Sequence, residues 1–117
     1  MISSIQNTLS AIKSFGKKMG VIANNVANVT TEEFKKSRAI FVEGSESIVK
    51  VEITQSKDPG FTVVDIKDGR FTKKEMSNVD LAEEIPQTII VQRGYEANLV
   101  TLRTQDEMLE SIIDIIK

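Results

Sequence analysis

The chain has 117 residues, fifteen basic and seventeen acidic side chains, a net charge of −2, and neither cysteine nor histidine. This is the length of one domain, and it has no disulfide framework or thiolate nucleophile and lacks the commonest metal ligand and general base, which removes most enzyme classes. Bases and acids are interspersed, and the basic pairs Lys17-Lys18, Lys35-Lys36 and Lys73-Lys74 lack interleaved aromatics, so neither nucleic acid nor a cofactor is an expected partner. No run approaches the roughly 20 apolar residues of a membrane span, which argues against lipid insertion.

The N-terminus, MISSIQNTLSAIKSFGKKMG, has no basic n-region and no continuous apolar stretch, and it does not read as a cleaved secretory signal. Residues 2 to about 28 carry Ile2, Ile5, Leu9, Ile12, Met19, Ala23 and Val26 at steps of three and four, with Gly16 at the remaining position. That spacing predicts a helix with a heptad seam. Three asparagines, Asn24, Asn25 and Asn28, fall at its end, where a short amide competes with the backbone and marks a terminus or a polar contact.

The period then changes to two. Val49, Val51 and Ile53 alternate with polar residues, Asp58-Pro59-Gly60 reads as a turn, and Asp68-Gly69 between Phe61–Lys67 and Arg70–Thr72 is a hairpin signal. Two to four strands are expected over roughly 39–74, in an insert too small to hold a core of its own.

A second long helix is expected from Ser77 or Asn78, either serving as its cap, with Asp80, Glu83 and Glu84 at the positive end of the dipole. Pro86 either kinks it or delays its start. Leu81, Ile85, Tyr95, Leu99, Leu102, Leu109, Ile113 and Ile116 hold a four-three spacing, interrupted on the same line by Thr88, Gln92 and Asp106. Within the polar break Gln92-Arg93-Gly94-Tyr95-Glu96-Ala97-Asn98, Gly94 costs about 1 kcal/mol relative to alanine, which a close helix-to-helix approach would offset. The carboxylates Glu83, Glu84, Asp106, Glu107 and Glu110 have no evident perturbing partner and read as solvated helix charge, not as catalytic groups. The Asn28-Val29-Thr30 sequon would need a secretory context.

Two stretches, ANNVANVTTEEFKKSRAIF and SNVDLAEEIPQTIIVQRGYEANLVTLRTQDEMLESIIDIIK, resemble the N- and C-terminal signatures of bacterial flagellar rod and hook proteins. The matching positions are Ala23, Asn24, Asn25, Ala27, Asn28 and Thr31 at the front. At the back they are Asn78, Val79, Asp80, Leu81, Glu83, Glu84, Gln92, Arg93, Tyr95, Glu96, Ala97, Asn98, Thr104, Asp106, Glu107, Met108 and Leu109. The short middle segment is most like that of the proximal rod proteins.

The resemblance implies a non-enzymatic subunit of the basal-body rod, an axial tube, exported through the flagellar type III apparatus without a cleaved signal. Its partners would be other copies of itself and other rod subunits. The implied fold is mainly α with a small β insert, the terminal helices pairing as an antiparallel coiled coil: an N-terminal helix and asparagine motif over 1–38, the insert over 39–76 and a C-terminal helix over 77–117. Assembly would run through Ile5, Leu9, Ile12, Met19, Asn24, Asn25, Val26, Asn28, Leu81, Ile85, Gln92, Arg93, Tyr95, Asn98, Leu99, Leu102, Leu109 and Ile113, with the asparagine amides offered to neighbouring chains. The alternative is a soluble coiled-coil adaptor or export regulator with the same termini. One position departs from the family pattern: Glu33 stands where relatives have a glycine before the aromatic residue. Because Glu33 resists positive φ and Thr30 with Glu33 has capping-box spacing, a short helical turn is expected over 31–37.

Overall fold

The computed structural model describes residues 2–45 and 48–116. Helix α1 spans Ile2–Ala27, strands β1 to β4 span Ser37–Glu43, Val49–Gln55, Thr62–Lys67 and Arg70–Glu75, and helix α2 spans Leu81–Ile116. Two long helices thus flank two β-hairpins, β1–β2 and β3–β4, each an antiparallel pair separate from the other. The molecule is extended, 83 × 24 × 18 Å. No helix among the described residues is long and apolar enough to cross a membrane.

The helices run antiparallel in one register. Gln105 donates to Ser4, Gly94 faces the Phe15 ring and Asn25 donates to Glu84. Eleven residues forward along α1, from Ser4 to Phe15, match eleven back along α2, and the next ten match ten. A Cβ on Gly94 would lie 2.4 Å from Phe15 Cε1, so the Phe15 ring of α1 packs on α2 where only glycine leaves room.

That approach corrects the seams expected from the sequence. On α1 the buried positions are Thr8, Ser14, Ile22 and Asn25, while Ile2, Leu9, Ala23 and Val26 are exposed and Ile5, Ile12 and Met19 half-buried. On α2 the inward positions are Glu84, Thr88, Val91, Gly94, Asn98, Leu102, Gln105 and Leu109, whereas Leu81, Ile85, Tyr95, Leu99, Ile113 and Ile116 are exposed. The inward line is displaced by about one residue, or roughly 100°, from the apolar line. Leu102 and Leu109 are the expected seam residues of α2 that do lie on the inward line.

Helix α1 also carries the first hairpin. Alternation along β1 and β2 directs Ala39, Phe41, Val49 and Val51 to one face. Phe41 meets Phe15 edge-on with centroids 4.8 Å apart, and Ser14 donates to the Val49 carbonyl at 2.9 Å. In the second hairpin Asp68 and Gly69 both take positive φ, 53° and 73°, the two-residue turn that the Asp-Gly pair predicts. Helix α2 runs through Pro86 without interruption, and its cap is Asp80, whose Oδ1 accepts the Ala82 N–H at 2.9 Å. Ser77 and Asn78 are engaged elsewhere.

The expected helical turn over 31–37 does not form. Glu33 takes φ 60°, the backbone of the glycine it replaces, because its N–H donates to the Glu75 carbonyl at 3.0 Å and the neighbouring Glu32 binds Lys74 at 2.8 Å. Tertiary bonds override the local preference. Glu33→Gly should stabilise the fold by roughly 0.5–1 kcal/mol in urea titrations, since left-handed backbone is strained for a residue with a Cβ. Gly94→Ala should do the reverse, costing about 1–3 kcal/mol despite better helix propensity, and a double-mutant cycle with Phe15→Ala should show coupling between the two sites.

Candidate assembly interface

The segment between α1 and β1 is held by side-chain amides. Asn25, 1 % exposed, accepts the Ser37 N–H on Oδ1 at 2.9 Å and donates from Nδ2 to the Ser37 carbonyl at 2.8 Å and to Glu84 Oε1 at 3.2 Å. Its amide therefore bonds Ser37 as a neighbouring strand would, and ties it to α2 as well. Asn78 does the matching work from the other side. Its Oδ1 accepts the Lys36 N–H at 2.6 Å, and Nδ2 donates to the Asp58 carbonyl at 2.9 Å and to Ser56 Oγ at 3.3 Å.

Charge closes the junction. Lys36, almost wholly buried, and Arg38 converge on Glu83 Oε2 at 2.7 and 2.8 Å. Lys35 binds Glu75, which also accepts the Gly60 N–H at 2.8 Å. The Lys36 ammonium, helped by Arg38, holds the Glu83 carboxyl below its ordinary value of 4.5, and Lys35 with the Gly60 N–H does the same for Glu75. Nothing here gathers acids or imidazoles as a metal centre would, and among the described residues no such group of side chains occurs.

The asparagines expected to face neighbours divide. Asn25 turns inward; Asn28 closes the helix end, donating to the Asn24 carbonyl at 2.9 Å and accepting from Thr31 at 3.1 Å; Asn24 is exposed. In the second polar break, Gln92 and Arg93 both grip Glu96 on the surface at 3.0 Å, while Asn98 donates to the Gly94 carbonyl of its own helix at 2.8 Å. Sequence reasoning missed Ser37, Lys36 and Phe15 as organising residues. Only the pairing of Asn25 with Glu84 had a signal, in the two motifs that contain them.

Around this junction lies the larger feature. Among the described residues, Ile22, Ala39 and Val91 are the buried hydrophobics, whereas Leu9, Val26, Leu81, Ile85, Ile89, Ile90, Leu99, Val100, Ile112, Ile113, Ile115 and Ile116 present apolar surface to solvent. Ile5, Leu99 and Leu102 line a shallow groove along the helix pair with Arg103 and Asp106. Such contiguous apolar surface marks an interaction site.

Comparison with known proteins agrees with the helix that carries this surface. Residues 74–115 match the family described as flagellar basal body rod FlgEFG protein C-terminal. The chain is similar to flagellar hook protein FlgE of Borreliella burgdorferi, 46% identical over 39 residues that make up 33% of this chain and 9% of that protein. It is similar to FlgE of Escherichia coli, 42% identical over 41 residues, 35% of this chain and 10% of the other. Flagellar basal-body rod protein FlgG of Bacillus subtilis is also 42% identical over 41 residues, 35% and 16% of the two chains. The matched segment thus spans less than a fifth of each of these relatives, and it is a flagellar rod and hook family segment.

The junction has a definite pH dependence. Glu83 and Glu75 have native pKa values below the unfolded 4.5, so their contribution is present above 4.5 and is lost as pH falls through the lowered native values. The melting temperature should therefore drop below pH 4.5, and the double variant Glu83→Gln/Glu75→Gln should flatten that part of the profile.

Proposed function

We propose that this chain is a structural subunit of the bacterial flagellar basal-body rod, building an axial tube with other copies of itself and other rod subunits. The observation that carries the reading is the outward apolar face of the helix pair, Leu81, Ile85, Leu99 and Ile113 on α2 with Leu9 and Val26 on α1. At about 25 cal/mol per Å² removed from water, this surface gains far more from a lateral neighbour than from solvent. The junction supports the same reading, because it fixes the insert against the helices by hydrogen bonds and leaves the apolar faces free. The similarity of α2 to rod and hook proteins supports a flagellar axial assembly. Passage through the type III export apparatus and residence in the periplasm-spanning rod are part of the same proposal. The chain has no catalytic part in this reading.

Fractionation of the flagellated host tests it. The full-length chain should co-purify with basal bodies, and Ile85→Glu/Ile113→Glu should remove it from them and abolish motility while leaving the monomer's urea midpoint unchanged, because both side chains are exposed. Retention of the double variant in basal bodies, or a wild-type chain confined to the cytosol as an adaptor would be, refutes the proposal.

A further inference from the structure

The glycines inside the two helices divide by what surrounds them. Gly94 is met by Phe15 of the same chain, whereas Gly16 and Gly20 on α1 are exposed, and a Cβ on either would meet nothing within 4 Å. Each of these two weakens α1 without serving a contact inside the molecule. At about 100° per residue, Gly16 lies about 20° to one side of the exposed Leu9, while Gly20 at about 20°, Lys13 at about 40° and Lys17 at about 80° lie to the other. Neither lysine forms an ion pair among the described residues. This face of α1 is a narrow apolar line with two glycine gaps and two unpaired cations along one flank.

The end of α2 has the matching pattern. Ser4 lies opposite Gln105 and α1 begins at Ile2, so α2 from about residue 108 to Ile116 runs past α1 over the described residues. Around Ile113, which is exposed, the half-buried Leu109 lies about 40° to one side, and Asp106 at about 20° and Glu110 at about 60° lie to the other. Neither acid forms an ion pair among the described residues. The acids are turned from Ile113 in the same sense as the lysines are turned from Leu9, and in an antiparallel helix pair flanks of the same sense fall on the same side of the contact.

The spacing agrees as well. Lys13 and Lys17 are four residues apart, as are Asp106 and Glu110, so in antiparallel order Glu110 can meet Lys13 while Asp106 meets Lys17. Within one chain this does not happen. The register that sets Phe15 against Gly94 puts Lys13 level with Glu96 and Lys17 level with Gln92, and each acid is then fourteen residues, about 21 Å, from its lysine. Fourteen residues are two heptads, so the shift that joins the charges also brings Ile113 to Leu9 and Leu109 beside Gly16.

We propose that the C-terminal end of α2 in one copy docks antiparallel on α1 of the next, Ile113 against Leu9 and Leu109 over Gly16, with Glu110 meeting Lys13 and Asp106 meeting Lys17. The helices are related as they are within one chain, so the two copies point the same way, displaced by about 21 Å. Because the two surfaces differ, the contact is head-to-tail and propagates. Exposed ion pairs add little net stability; here they select one stagger from those the apolar line would accept. The contact rests on the reading of the chain as an assembling subunit, and it assigns that assembly a partner surface and an axial offset.

The chain has no cysteine, which makes the contact directly addressable. Full-length Leu9→Cys and size-tagged Ile113→Cys, mixed and treated with diamide, should form the mixed disulfide about tenfold or more faster than Leu9→Cys with tagged Ile115→Cys, whose thiol lies across α2 from Ile113. Lys13→Glu/Lys17→Glu in the Leu9→Cys chain should abolish the excess, and Asp106→Lys/Glu110→Lys in the tagged chain should restore it. Gly16→Leu in the Leu9→Cys chain should also lower the excess, while raising the monomer's urea midpoint through better helix propensity. Equal rates in the two mixtures, or an excess indifferent to charge reversal or to Gly16→Leu, overturns the docking. If the wild-type chain still co-purifies with basal bodies in that case, the rod reading stands without this contact. A charge-dependent cross-link in a chain absent from basal bodies would instead keep the contact and remove the rod.

Discussion

The close approach of α2 to α1 at Gly94 is the constraint from which the other placements follow. With the Phe15 ring filling the space that Gly94 leaves open, the contact holds Ile22, Val91 and Leu102 together with the polar Glu84, Asn98 and Gln105. Most of the other aliphatic residues lie outside it. One register then brings Asn25 to Glu84, and Asn25 sets Ser37, from which the first hairpin runs back along α1. A single glycine decides which face of each helix is left for others.

Gln105 shows the cost of that arrangement. Its Nε2 bonds Ser4, but its Oε1 is buried without a partner, a deficit of about 1–3 kcal/mol in an interior that has little apolar burial to spare. Polar contacts of this kind add little net stability; their value is in specifying one alignment over its neighbours. A helix pair that mixes polar groups into its contact line and leaves many aliphatic side chains exposed keeps much of its apolar surface outside its own contact.

Much of this was legible in the sequence. The two helices, the strand-rich insert, the Asp-Gly turn and the need for a close approach at Gly94 all rest on local periodicity or local backbone cost, and each is present. The facing of the helices was not legible, because periodicity reports an apolar line without naming what covers it, and here the contact between the helices runs along a line displaced from it. The cap of α2, expected at Ser77 or Asn78, is Asp80, because Asn78 is engaged by the Lys36 N–H and the helix starts two residues later. Glu33 was misread for the opposite reason: its local preference was clear, and a partner 42 residues away in sequence, the Glu75 carbonyl, outweighed it.

The long reach of the α1–α2 pairing also has a kinetic meaning. Both hairpins close over a few residues, whereas the bond from Gln105 to Ser4 joins positions 101 apart. The largest single loop-closure cost therefore falls on the helix pairing, and because that cost grows only logarithmically with length, a longer insert between the helices would add about 0.6 kcal/mol for each doubling. The region between the helices is consequently the part of this architecture that can grow at least expense to the pairing that defines it.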